Sequence, residues 1–278
     1  MRRVAAYRAN KILFNFLQSN NLRGTILLPA NICHDVVEML KYAGNKLQYI
    51  DIDPHSLIMD WTQMMSHVKD ACAILCVHTY GVEEDYTEKF NAIRALNPDI
   101  AIIDDQCLCF PDLSLIESSA DLVLYSTGSK KQVDLGKGGI GYVASRWQYD
   151  DVDILGEAPL GNEEWMLDEV AVLRRMDAIM KHKDCLNKIY RYNLPTNIQL
   201  PEKYQHWRFN ILVPDKDAIL KAIFDAGLFA SNHYASLSED CQVASNLHRY
   251  VINLFNDSYF TETQAKQVCE IINRYVQR

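Results

Sequence analysis

Side chains that can take part in chemistry follow the apolar runs in the first half of the chain. An imidazole, two carboxylates, a hydroxyl and two amines stand at or just after the ends of these runs: His78, Asp104, Asp105, Ser126, Lys130 and Lys131. In open parallel sheets, ligands bind beyond the carboxyl ends of the strands. If the runs are parallel strands, these groups meet at one edge of the sheet. Each has an ordinary structural role by itself, but a carboxylate that ends a buried strand needs a donor or a cationic partner.

One cofactor requires this set of groups. Pyridoxal phosphate needs an amine that forms a Schiff base, a carboxylate that keeps the pyridine nitrogen protonated, and donors for its phosphate. It also needs small residues where the protein backbone approaches the cofactor closely. Gly138 and Gly139, which follow the lysine pair, meet this need. The residues alone therefore predict a site for pyridoxal 5'-phosphate.

The elements that would position these groups form an α/β pattern. The β-rich runs TILLP, LQYIDID, AILCVHTYG, IAIIDD and DLVLYS alternate with segments of helical apolar spacing, such as HDVVEMLKYAG and YTEKFNAIRAL. Because the runs are continuously apolar, they predict strands covered on both faces, and hence a mostly parallel sheet flanked by helices. The run GGIGYVAS follows Ser126 too closely for a helical crossover, so we expect it to lie antiparallel to its neighbour.

The pattern changes in the second half of the chain. Residues 163–190 are predicted to form one long helix. After LPTNIQLPEK come the strand-like runs HWRFNILV and YVINLF, with the helical segments KDAILKAIFDAG and TETQAKQVCEIINRYV, the last opened by a threonine cap. We therefore predict a cofactor-binding large domain over residues 1–190 and a smaller α+β domain over residues 191–278.

The composition limits the classes of partner. With 49% hydrophobic and 23% charged residues, the chain of 278 residues has the make-up of a globular protein. Its net charge of −8 argues against nucleic acid or an anionic membrane as a partner. Polar residues interrupt the N-terminal apolar stretch, so neither a signal sequence nor a membrane span is expected. The eight cysteines include no Cys-x-x-Cys pair, which predicts free thiols, no metal site and a reduced cytoplasmic location.

At these motifs the sequence resembles the DegT/DnrJ/EryC1/StrS aminotransferases, pyridoxal phosphate enzymes of fold type I from sugar-nucleotide metabolism. The segment from Ser126 to Lys131, followed by Gly-Lys-Gly-Gly, is similar to the family's lysine motif, and Asp104-Asp105 is similar to its Glu-Asp motif. The segments VHTYG, LPANICHDVV, DIDPHSLIMD and ASNHYASL give further similarity along the chain. The resemblance implies the aspartate-aminotransferase-like fold, in a shortened member.

The resemblance also implies roles for single residues. Lys131 matches the Schiff-base lysine and Asp105 the partner of the pyridine nitrogen, and these two would be catalytic. The remaining residues that we expect beside the cofactor are Ser126, His78, Cys33, His34 and Asn10. The chain departs from the family where a Ser-Gly-Thr turn usually binds the phosphate, since the corresponding stretch AAYRANKIL has neither serine nor threonine.

The expected activity is amino transfer to a keto sugar nucleotide or a related small keto substrate, in polysaccharide or secondary-metabolite biosynthesis, with glutamate or glutamine as donor. Two alternatives stay open: a pyridoxal phosphate enzyme of another reaction type, such as a dehydratase, and a non-catalytic relative that acts as a partner subunit. We also expect a homodimer, because enzymes of this kind assemble their sites at a two-fold interface. The apolar residues Ile12, Leu13, Phe16 and Leu17 are expected to have little cover from their own chain.

Overall fold

A seven-stranded sheet forms the centre of the large unit in the computed structural model, which describes residues 1–152 and 165–276. Its strands are β1 (Arg2–Ala6), β2 (Thr25–Pro29), β3 (Lys46–Ile50), β4 (Ala73–Val77), β5 (Ala101–Asp105), β6 (Leu122–Ser126) and β7 (Gly139–Val143). They lie in the order β1-β7-β6-β5-β4-β2-β3. The pairs from β3 to β6 are parallel, and β7 runs antiparallel to both of its neighbours. The mostly parallel α/β sheet and its antiparallel strand are thus confirmed.

Helices cover both faces of this sheet. Helices α1 (Ala9–Ser19) and α2 (His34–Tyr42) pack on one face, where alternate strand residues such as Ile26, Leu75 and Ile103 join them in one core. Helices α3 (Trp61–Met65) and α4 (Thr87–Leu96) pack on the other face. The apolar runs are continuous because successive strand residues serve two different cores.

A smaller antiparallel sheet follows in the second half. It contains β8 (Phe209–Leu212), β9 (Ala230–Ser231) and β10 (Val251–Leu254) in the order β8-β10-β9. The helices of this half are α5 (Glu169–Asn193), α6 (Lys216–Asp225), α7 (Gln242–Tyr250) and α8 (Glu262–Val276). Thr261 and Gln264 form the predicted cap of α8, since the Thr261 Oγ1 accepts from the Gln264 N–H at 3.2 Å and the Gln264 side chain accepts in return.

The long helix begins later than the sequence predicted. Within the described residues it starts at Glu169, where Asp168 accepts a hydrogen bond from the Ala171 N–H at 2.9 Å, and residues 165–168 are not helical. Positions 163 and 164 of the predicted helix lie outside the described residues. Leu186 and Tyr190 of α5 belong to the same core as β8, β10, α6 and α8. The division into residues 1–190 and 191–278 stays a prediction.

The first helix is better covered than expected. Ile12, Leu13, Phe16 and Leu17 are buried against β6, β7 and α2 of their own chain. Strand β1, which the sequence pattern did not predict, pairs with β7 and holds α1 in place. The expectation that these four residues lack cover was wrong, so they give no support to a homodimer.

Within the described ranges, none of the helices combines the length and the apolar character that crossing a membrane requires.

Candidate active site

A cavity of about 300 Å³ lies at the edge of the large sheet where the parallel strands end. Among the residues that line it are Asn10, Asn31, Asp105, Ser126, Lys131 and Tyr234. The register explains why distant segments meet here. Gly139, the first residue of β7, is paired on one side with Ser126 at the end of β6 and on the other with Ala6 at the end of β1. The antiparallel strand therefore begins at the same edge, and so does α1.

The two aspartates at the end of β5 face opposite sides of the sheet, because successive residues of a strand alternate. Asp105 lies on the side of α1 and α2 and lines the cavity. Its Oδ1 accepts a hydrogen bond from the Cys107 N–H at 2.9 Å. Asp104 lies on the other side, where its Oδ1 is 2.8 Å from His78 Nε2. Of the pair, Asp105 is the carboxylate available to a ligand.

His78 and Asp104 form a buried ion pair behind the cavity. His78 Nδ1 donates to the Val82 carbonyl oxygen at 2.7 Å, so both ring nitrogens face oxygen atoms. Burial alone lowers the pKa of His78, but the hydrogen bond and the charge of Asp104 outweigh it, and the pKa is raised overall. The imidazolium therefore fastens the ends of β4 and β5 to each other.

The loop after β6 directs Lys131 to the cavity and Lys130 away from it. Lys130 is exposed, has a positive φ of 64° and does not line the cavity, whereas Lys131 is half-buried and does. The Lys130 N–H donates to Asp134 at 2.9 Å, and the Lys130 carbonyl accepts from Trp207 Nε1 at 3.0 Å. The loop is thus fixed both internally and by Trp207 from the second half of the chain, and Lys131 lines the cavity.

The start of α1 closes the cavity on the side of β7. The Gly138 N–H donates to the Tyr7 carbonyl at 2.7 Å, and Gly138 forms a bridge with Arg8. A Cβ on Gly139 would come within 2.5 Å of the Ala9 Cα. Only glycine permits this approach. The first turn of α1 has no side-chain cap and no acidic residue. The Lys11 N–H donates to the Arg8 carbonyl at 3.1 Å, and the N–H groups before it can bind an anion.

Cationic and polar side chains surround this end of the cavity. Arg8 and Lys137 line it, and Lys137 Nζ lies 5.3 Å from the ring centroid of Tyr7. Asn10 also lines it, while its Nδ2 donates to the Asp35 carbonyl at 3.2 Å and so connects the first turns of α1 and α2. The Ser126 Oγ accepts from the Gly128 N–H at 3.2 Å. Together with the helix N-terminus, these groups can bind a phosphate.

Two buried polar side chains in the cavity wall have no hydrogen-bond partner among residues 1–152 and 165–276. Asn31, which is 2% exposed, leaves both its Oδ1 and its Nδ2 without a hydrogen bond, and Thr79, which is 1% exposed, leaves its Oγ1 without one. Both residues line the cavity. An unsatisfied buried polar group costs about 1–3 kcal/mol, which a bound ligand can recover. Both residues lie in segments that gave the family similarity, LPANICHDVV and VHTYG, but the motifs assigned no hydrogen-bonding role to either.

Charges within the cavity act on one another. Burial raises the pKa of the Cys107 thiol, Asp105 raises it further and Lys131 opposes the rise, so the carboxylate and the amine act on the same thiol with opposite sign. Burial also raises the pKa of the Tyr234 phenol, with Cys33 and Asp105 adding to the effect. Lys131, Asp105 and Tyr234 therefore share one electrostatic environment.

Most of the predicted site residues meet at this cavity. Its wall includes Lys131, Asp105, Ser126, Cys33 and Asn10. Two other predicted residues, His78 and His34, are not among the described residues that line it, and their contact with the cofactor stays a prediction. His78 is held by Asp104 on the opposite side of the sheet. The exposed ring of His34 instead lies 3.7 Å from Glu38 on the surface of α2.

Solved structures with the same architecture cover nearly the whole chain. An aminotransferase of the DegT/DnrJ/EryC1/StrS type from Brucella abortus is 17% identical with a TM-score of 0.76, over 100% of this chain and 87% of that chain. A protein of Streptococcus pneumoniae, provisionally described as a sugar aminotransferase and solved in its PLP form, is 14% identical with a TM-score of 0.80, over 99% and 87%. DesI, solved with its TDP-sugar product, is 16% identical with a TM-score of 0.79, over 100% and 81%.

The likeness lies in the fold rather than in the sequence. No protein-family model matches the chain, and a comparison with curated proteins finds no match. At 14–17% identity, the solved structures confirm at the level of the fold the resemblance that the motifs gave. The chain has the fold-type-I architecture of the pyridoxal-phosphate-dependent sugar aminotransferases.

Proposed function

We propose that this protein is a pyridoxal-phosphate-dependent aminotransferase that transfers an amino group to a keto sugar nucleotide or a related small keto substrate. One observation carries the proposal. An amine, Lys131, and a carboxylate, Asp105, line the same cavity at the carboxyl edge of a parallel sheet, beside an open helix N-terminus. The Asp105 carboxylate accepts a hydrogen bond from the Cys107 N–H and still lines the cavity, whereas the neighbouring Asp104 is paired with His78.

The residues of the cavity fit the cofactor. The unpartnered amide of Asn31 and hydroxyl of Thr79 are polar atoms that a ligand can satisfy. The close contact of Gly139 with the start of α1 provides a backbone cradle in which a Cβ would leave no room. When bound, pyridoxal phosphate supplies an electron sink for the substrate carbon next to the nitrogen.

Each residue has a separate task in this proposal. The Lys131 Nζ binds the cofactor covalently and later moves a proton to and from the substrate carbon. The Asp105 carboxylate holds the proton of the pyridine nitrogen. Ser126 and Asn10, with the first turn of α1, bind the phosphate. Cys33, from the segment between β2 and α2, lies beside the ring.

The class of substrate is proposed from the solved structures of this fold. Two of them are described as a sugar aminotransferase and as an enzyme bound to a TDP-sugar product. We propose a keto sugar nucleotide as amino acceptor, glutamate or glutamine as donor, and a role in polysaccharide or secondary-metabolite biosynthesis. The eight cysteines are all free, which agrees with a reduced cytoplasmic location.

The visible absorption spectrum of the purified protein with added pyridoxal phosphate tests the proposal. We expect a band in the visible region that saturates with cofactor and changes when glutamate or glutamine is added. Asp105→Asn should keep the cofactor bound but lose the amino-transfer half-reaction, because the uncharged amide cannot keep the ring nitrogen protonated. A wild-type protein that forms no such band at saturating cofactor would leave a non-catalytic partner subunit as its role.

A further inference from the structure

The unpartnered groups of Asn31 and Thr79 occupy one side of the cavity. Asn31 lies two residues after the end of β2, and Thr79 lies two residues after the end of β4. β2 and β4 are paired, so the two side chains come from adjacent strand ends. The backbone around Asn31 is fixed, since the Ala30 N–H donates to the Ile50 carbonyl at 2.9 Å and the Ala30 carbonyl accepts from the Leu237 N–H at 2.9 Å.

The order of the strands fixes which part of the cofactor faces them. The phosphate-binding groups of α1, Ser126 and Gly138 lie at β6 and β7, and Asp105 lies at β5, in the middle. On the pyridine ring, the carbon that carries the phosphate arm and the carbon that carries the hydroxyl are on opposite sides of the axis through the ring nitrogen. A cofactor with its phosphate at β6 and β7 and its nitrogen at Asp105 therefore turns its ring hydroxyl toward β4 and β2.

We propose that Asn31 and Thr79 bind the ring hydroxyl oxygen of pyridoxal phosphate, with the Asn31 Nδ2 and the Thr79 Oγ1 as donors. This inference rests on the proposed function, because it assumes that the cofactor occupies the cavity. It assigns a task to two residues that are buried and polar and have no partner in the described part of the chain. They are positioning residues, which set the charge of the ring rather than react.

The contact has a consequence for the colour of the protein. A donor stabilises negative charge on the ring oxygen and so favours the deprotonated form of the bound cofactor. Removing a donor therefore raises the pH at which the bound chromophore loses its proton. A hydrogen bond to a charged group corresponds to a shift of about one to two pH units in this midpoint.

The experiment is a spectrophotometric pH titration of the protein saturated with pyridoxal phosphate. The variants are Asn31→Leu and Thr79→Val, which keep the shape of the side chain and remove the donor. Each should raise the spectral midpoint by about one pH unit or more, and Thr79→Ser, which keeps the hydroxyl, should restore it. Ser126→Ala is the matched control at the phosphate end, where we expect weaker binding and an unchanged midpoint.

The outcomes separate this inference from the proposed function. If the wild-type protein binds the cofactor and neither variant moves the midpoint, the inference is overturned while the proposed function stands. Variants that leave the spectrum unchanged but raise the KM for the keto substrate would assign Asn31 and Thr79 to the substrate instead, which also overturns it. A wild-type protein that takes up no cofactor contradicts both.

Discussion

At the scale of single residues, the neighbouring aspartates of β5 have different tasks because a strand sends them to opposite faces. The sequence presents Asp104 and Asp105 as one motif, and only the resemblance selects the second as the cofactor's partner. In the folded chain, Asp105 lines the cavity and Asp104 holds His78. The buried pair of His78 and Asp104 therefore stabilises the strand ends that carry the site.

His78→Gln tests this support through the pH dependence of stability. The folded-state pKa of His78 is raised above its ordinary value of 6.5. A raised pKa means that the pair contributes its full stability below pH 6.5 and loses it as the pH rises through the folded-state pKa. We expect the wild-type protein to exceed His78→Gln in free energy of unfolding by about 1.5–3 kcal/mol at pH 6, with the difference shrinking at higher pH.

Chemical denaturation of both proteins across pH 6–9 measures this difference. His233 and His248 have lowered pKa values and contribute in the opposite direction, but they are present in both proteins and cancel. A difference that stays constant with pH would show that His78 has the same pKa in the folded and unfolded states, which contradicts the raised pKa.

Ser126→Ala tests the phosphate end of the cavity. The Ser126 Oγ lies between the Gly128 N–H and the Gly138 carbonyl, 3.2 and 3.4 Å away, and lines the cavity. If it also binds the phosphate, the variant should bind pyridoxal phosphate about ten- to a hundredfold more weakly. Equilibrium dialysis with pyridoxal, which has no phosphate, is the comparison. An equal loss for both compounds would make Ser126 a structural residue only.

The types of Lys131, Asp105 and Ser126, and their positions at or after strand ends, made them candidates, and only the resemblance separated Lys131 from Lys130 and Asp105 from Asp104. The sequence could not show that Asn31 and Thr79 are buried without a partner among the described residues, because that depends on the whole tertiary structure. For a related reason, the sequence could not show that His78 lies against Asp104 rather than in the cavity wall. A strand-end position does not say on which face a side chain lies.

Among the elements, the strands β2, β4, β5 and β6 were predictable because each is a continuous apolar run that is almost fully buried. Strand β1 was not, since the run RRVAA at the edge of the sheet is short and partly exposed. Because β1 was not predicted, the apolar residues of α1 appeared to have no neighbouring strand to pack against. Pairing of β1 with β7 is what brings the first turn of α1 to the cavity.

Gly139→Ala tests this contact between β7 and α1. The new Cβ would lie 2.5 Å from the Ala9 Cα and 2.6 Å from the Arg8 carbonyl carbon, which are backbone atoms. The start of α1 must then move, with a loss of about 1–3 kcal/mol in stability and weaker cofactor binding. Gly24→Ala is the matched control, because its Cβ would meet only the Cys72 side chain, at 3.1 Å. Thermal unfolding and cofactor titration measure the two effects, and we expect the larger loss for Gly139→Ala. Equal losses for the two variants would show that the contact with α1 is unimportant.

At the scale of the whole molecule, the homodimer stays a prediction that now rests on other residues. Val170, Leu173 and Met180 of α5 are 52–57% exposed, and their spacing places them on one side of the helix. We expect a second copy of the chain to cover this surface. Sedimentation at micromolar concentration should give a dimer, and Leu173→Glu should weaken it. A wild-type monomer with or without cofactor would contradict the prediction.

The covalent attachment of the cofactor to Lys131 is the central claim, and borohydride reduction followed by peptide mass spectrometry tests it most directly. Lys131 lines the cavity, while Lys130 is exposed outside it. We expect a reduced cofactor adduct on Lys131 in the wild-type protein and in Lys130→Ala. In Lys131→Ala, both the adduct and the visible band should be absent. An adduct on Lys130 or Lys137, or no adduct at saturating cofactor, would contradict the account.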